Sequence, residues 1–89
     1  MRSEEDSPVA LDAVRECMAR VMQLDARTAA GITDRTTAAD VPGWTSVTHL
    51  SLILELERTF GVTFGNDEIV AMGSVAAILE RLRGKTGGG

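Results

Sequence analysis

Ser46 and His49 stand three residues apart where a loop gives way to a helical pattern. A hydroxyl and an imidazole one turn apart are the raw material of nucleophilic catalysis, the imidazole taking the proton as the oxygen attacks. The surroundings argue against hydrolysis. No Gly-x-Ser-x-Gly turn follows a strand-like run, and no oxyanion site is evident. His49, the sole histidine, is expected on the helix surface. A serine opening a helix has another use, as a reachable attachment point on a rigid element. The positive end of the helix favours a phosphate attached there. The plainer alternative is that Ser46 only belongs to the N-terminal cap.

Other reactive side chains point to structure. Asp34, Asp40, Asp67 and Glu68 lack the alternating ligands of a calcium loop and read as caps and loop charges. Cys17, the one cysteine, excludes an intramolecular disulfide and a multi-cysteine metal site. It leans to the inward side of a helical pattern and is expected as buried filler rather than a reactive thiol. Trp44 is expected either to stack on a partner or to bridge loop and bundle.

Helices must position these groups. Ser7-Pro8 forms a helix start, and Leu11, Val14, Met18, Val21 and Met22 recur at spacings of three and four through Leu24. From Asp25 to Thr45 no periodicity survives. A long loop is expected there, anchored by Ile32 and Val41 and with room for a short turn of helix. Thr45 is a candidate N-cap for a second helix, Ser46 to Phe60, with Leu50, Ile53, Leu56, Glu57 and Phe60 on neighbouring turns. Leu52 and Leu54 widen its apolar surface. Gly61 suits the left-handed stop, and Val62 or Phe64 is expected to be buried. Asn66 is the expected cap of a short third helix with Ile69 and Met72 inward. Ser74 is the expected cap of a last helix striped by Val75, Ile78, Leu79 and Leu82 and ended by Gly84. The fold class is all-α, a small four-helix bundle with a short third helix and a long loop between helices 1 and 2. Residues 1–7 and 84–89 are expected as disordered tails around a domain spanning 8–83.

The 89 residues fit one domain and leave little room for an enclosed active site. A formal charge of −4 disfavours a phosphate-backbone binder, so no nucleic-acid partner is expected. No apolar run reaches the roughly 20 residues needed to span a bilayer, and the acidic N-terminus lacks a hydrophobic signal core. The expectation is a cytoplasmic monomer.

The stretch Gly43-Trp44-Thr45-Ser46-Val47-Thr48-His49-Leu50, with the helix behind it, resembles the prosthetic-group site of acyl carrier proteins. The resemblance covers about Val9 to Leu82. Leu50, Ile53, Leu56, Glu57 and Phe60-Gly61-Val62 continue that family's second helix and its exit. Ile69, Met72, Ser74, Val75 and Ile78 match its last two helices. No short motif is specific alone; the joint spacing is. The family's Asp-Ser-Leu is here Thr45-Ser46-Val47.

The resemblance implies a carrier rather than an enzyme. Ser46 would receive 4′-phosphopantetheine from coenzyme A through a phosphopantetheinyl transferase, with Mg²⁺ there. The arm's thiol would hold acyl groups as thioesters for an acyltransferase, ligase or ketosynthase, in polyketide, fatty-acid or related biosynthesis. Trp44 gives the site more the look of specialised-pathway carriers, and it could stack on the arm. Thr45 keeps the cap but removes a carboxylate that basic partners could use. Partner recognition is expected at Thr45, Val47, Thr48, Leu54, Glu55 and Arg58, a mixed surface whose docking depends little on salt, unless Leu54 is core. The alternative is a helical adaptor of the same fold that binds partners without a prosthetic group.

Overall fold

The computed structural model describes residues 2–87. Its helices are α1 (Arg2–Met22), α2 (Ala26–Ala30), α3 (Ser46–Phe60), α4 (Asn66–Ala71) and α5 (Val75–Leu82). A 3₁₀ turn covers Ala38–Asp40, and a π turn, Arg83–Gly87, follows α5. The fold is all-α; extended pairing among the described residues is confined to an isolated bridge between Thr37 and Ser74.

The backbone of α1 begins at Arg2, upstream of the Ser7-Pro8 start the sequence suggests. Pro8, which has no backbone N–H to donate, lies within it. The helix also stops short of Leu24. Gln23 takes the left-handed conformation (φ 56°), and the Leu24 N–H reaches back to the Ala19 carbonyl at 3.0 Å, a Schellman-type stop. α3 ends the same way with the expected residue. Gly61 is left-handed (φ 68°, ψ 35°), and the Val62 N–H reaches the Glu57 carbonyl at 3.2 Å.

The expected loop carries α2 and the 3₁₀ turn. Asp25 caps α2, its carboxylate accepting the Thr28 N–H at 2.7 Å. That bond holds the Asp25 carboxyl below its ordinary value. α2 buries no residue, so it displays no apolar stripe. Ile32 and Val41 are buried anchors as expected. Backbone bonds from Ala38 to Gly73 (3.0 Å) and from Val75 to Thr36 (2.9 Å) pin the loop to the start of α5.

The core joins Val14 and Met18 of α1, Leu52 and Leu56 of α3 and Ile78 of α5, among others, with Met72 at the C-cap of α4. The whole expected stripe of α5 is buried, and so is Phe64. Cys17 is buried as expected; burial pushes its thiol up, and its Sγ lies 3.5 Å from Thr59 Oγ1. Leu50 does not join the core. The inward face of α3 is centred on Leu52, Ile53 and Leu56, which turns Leu50 and Leu54 to the outside.

Two further boundaries differ from the expectation. Gly65, rather than Asn66, is the N-cap of α4; the Glu68 carboxylate reaches back to its N–H at 3.0 Å, leaving Asn66 as the first helical residue. Gly84 does not terminate the chain's helical course, because the π turn runs through it to Gly87. Lys85 in that turn pairs with Glu68 (3.1 Å) and lies 5.4 Å from the Phe64 ring centroid. Ser74 does cap α5, accepting the Ala77 N–H at 3.1 Å. Met1, Gly88 and Gly89, the ends of the two expected tails, lie outside the described residues.

Candidate functional site

The lead-in to α3 is held by its own side chains. Thr45 is the N-cap, its hydroxyl accepting the Thr48 N–H at 3.2 Å. Thr48 returns the contact, its hydroxyl accepting the Thr45 N–H at 2.7 Å and donating to the Gly43 carbonyl at 2.6 Å. This is a capping box built from two threonines. Gly43 lies close to α1: a Cβ there would sit 3.4 Å from Met22 Cβ.

Ser46 is thereby fixed as the first residue of α3 and is exposed. Its hydroxyl makes no hydrogen bond among the described residues. The N–H groups of Ser46 and Val47 have no partner within the helix, and no acidic residue stands in its first turn. The positive end of this fifteen-residue helix therefore has no carboxylate in its own first turn to neutralise it. A hydroxyl-linked phosphate fits here: two N–H donors and the helix dipole face it, and no core atom must move.

His49 is not the surface histidine the sequence suggests. It is half-buried, and both ring nitrogens are engaged. The Trp44 indole N–H donates to Nδ1 at 2.8 Å, while Nε2 donates to the Ile69 carbonyl at 2.8 Å. A neutral imidazole has one acceptor nitrogen, so Nε2 carries the proton. The only lone pair that could accept a proton from Ser46 is already used by Trp44. The two rings lie 23° from parallel with their centroids 6.0 Å apart, edge to edge across this hydrogen bond. Trp44, 7% exposed, bridges loop and bundle rather than offering a face to a partner.

The expected recognition residues divide. Val47, Leu54 and Arg58 are exposed, joined by Leu50 and by Val70 of α4. Thr45 and Thr48 spend their hydroxyls on the cap. Glu55 is engaged by Arg20 of α1 and, at 3.6 Å, by Arg58, so its charge is largely compensated within the chain. The acidic candidates do not assemble, and no metal-holding cluster occurs among the described residues.

Sequence reasoning missed the role of His49, although a signal was present. Positions 49, 52, 53, 56 and 60 form the i, i+3, i+4, i+7, i+11 pattern of one helix face. A polar residue on that buried face needs hydrogen-bond partners. Among the described residues no helix is long and apolar enough to cross a membrane. No protein-family model and no curated protein matches this chain, so the reading of the site rests on the residues themselves.

Proposed function

We propose that this chain is an acyl carrier protein, with Ser46 as the acceptor of a 4′-phosphopantetheine arm taken from coenzyme A. The observation that carries the reading is the Ser46 hydroxyl, exposed and unbonded at the first position of α3. Ser46 opens the second long helix, after α1 and a connection carrying α2 and a 3₁₀ turn. A short helix and a last helix follow, with caps at Thr45, Gly61 and Ser74.

In the attachment step the Ser46 oxygen forms a bond to the coenzyme A phosphorus that bears the pantetheine. The pyrophosphate P–O bond breaks, adenosine 3′,5′-bisphosphate leaves, and the hydroxyl proton passes to a base of a separate phosphopantetheinyl transferase. When bound, the arm supplies a terminal thiol for thioester carriage and delivers its cargo at high effective concentration. The chain supplies the nucleophilic oxygen, the two N–H groups left free by the helix and a positive helix end with no acidic residue in its first turn. Val47, Leu50 and Leu54 supply an apolar surface beside the arm for acyl-loading and acyl-processing enzymes. On this reading the work belongs to the cytoplasm, where a transferase and coenzyme A can meet the chain.

Incubation with coenzyme A, Mg²⁺ and a broad-specificity transferase is expected to add one phosphopantetheinyl group by intact mass. Ser46→Ala is expected to stay at its starting mass while keeping a wild-type far-UV spectrum. A wild-type chain left unmodified by several transferases, or a Ser46→Ala chain that gains the same mass, overturns the proposal.

A further inference from the structure

Nothing in the attachment step uses His49 as a base, yet its imidazole ties together parts of the chain that flank the acceptor serine. Nδ1 holds the indole of Trp44, two residues before Ser46. Nε2 holds the carbonyl of Ile69, twenty positions further along in α4. The Trp44 backbone is fixed as well, its N–H donating to the Val41 carbonyl at 2.9 Å. The residues leading into Ser46 are therefore held twice. The threonine box ties them to α3, and the Trp44–His49–Ile69 relay ties them to α4. The box sets where α3 begins, and the relay sets how that beginning sits on the body of the protein.

We infer that His49 is a positioning residue for Ser46. By holding Trp44 against α4 it keeps the Gly43–Thr45 segment in one arrangement, so that the serine oxygen meets the transferase-bound phosphorus in line. The inference rests on the carrier reading and deepens it. Attack requires the reacting oxygen within a narrow range of distance and direction, and a displacement of about 1 Å costs up to about a hundredfold in rate. A mobile lead-in leaves the exposed docking side chains in place but spoils that alignment. It therefore acts on turnover within the complex rather than on binding.

The test is transferase kinetics with the carrier as the varied substrate. His49→Phe keeps a ring and removes both hydrogen bonds. His49→Asn places an amide near Nδ1 and retains an acceptor for Trp44. His49→Gln places its amide near Nε2 and retains only the donor to Ile69. Trp44→Phe removes the indole N–H without touching His49.

For His49→Phe and Trp44→Phe, kcat is expected to fall about tenfold, with KM changed by less than about twofold. His49→Asn is expected to recover to within about threefold of wild type, while His49→Gln stays low. A merely structural role gives a different pattern: a smaller folded fraction raises apparent KM and leaves kcat alone. That pattern, or wild-type kcat in both phenylalanine variants, overturns the inference and leaves the carrier reading standing. Rescue by Gln but not Asn also overturns it. A wild-type chain that no transferase modifies sinks both. If His49→Phe does not fold, Trp44→Phe and the Asn and Gln pair decide the question.

Discussion

Thr45 performs the cap that an aspartate could perform, without the charge. Its hydroxyl takes the Thr48 N–H and its own N–H is taken by the Thr48 hydroxyl. Thr45→Ala removes one half of that exchange and is expected to cost about 1 kcal/mol in urea unfolding. Thr45→Asp is expected to leave stability within about 0.5 kcal/mol of wild type or to raise it, since aspartate caps at least as well and faces the positive helix end. The same substitution is expected to raise kcat/KM for a transferase with a basic docking surface, and to make that rate fall as salt is added. Equal rates across the salt series would show that the carboxylate plays no part in encounter. At this scale the sequence was readable where a residue acts on its near neighbours: Thr45 and Ser74 each accept the N–H three positions further on. His49 was not readable in this way. Its partners, Trp44 and Ile69, lie on opposite sides of it in the chain, and one is a backbone carbonyl that carries no residue signature.

Within α3, burial changes completely over two positions. Leu52 is 0% exposed and Leu54 is 62% exposed. Leu52→Ala is expected to cost about 2–5 kcal/mol by leaving a cavity, and Leu54→Ala to stay within about 0.5 kcal/mol; urea denaturation followed by circular dichroism measures both. Comparable losses would mean that the helix is rotated from the face described. The apolar positions of this helix outnumber those its neighbours can cover, which is why spacing alone placed Leu50 inward. Helices with one dense stripe and polar flanks were easier: α5 buries Val75, Ile78, Leu79 and Leu82, the residues its periodicity selects. α2 had no such stripe to read. It is five residues long, buries none of them, and is held by its Asp25 cap and the backbone bonds closing at Gly31.

For the molecule as a whole, size and charge set the terms. A radius of gyration of 12.1 Å is what a closely packed chain of this length has, about 12 Å. Two acidic caps give the fold a pH dependence. The Thr28 N–H lowers the Asp25 carboxyl from its ordinary 3.8. The Gly65 N–H, with Lys85 behind it, lowers Glu68 from 4.5. A carboxyl whose folded value lies below its unfolded value stabilises the fold above the unfolded value, and that contribution is lost as pH falls through the folded one. Melting temperature is therefore expected to hold down to about pH 5 and to fall below it. Asp25→Asn with Glu68→Gln is expected to shallow that fall; curves parallel to wild type would contradict the assignment.

Trp44 is the chain's one tryptophan, and there is no tyrosine. The indole that braces the serine segment is thus also the only strong ultraviolet fluorophore in the protein. Its emission comes from one ring, hydrogen-bonded to one imidazole and two residues from the proposed point of attachment. Unlabelled protein carries its own light source at the site, and loading, docking or loosening of the α3 lead-in can be followed there in real time.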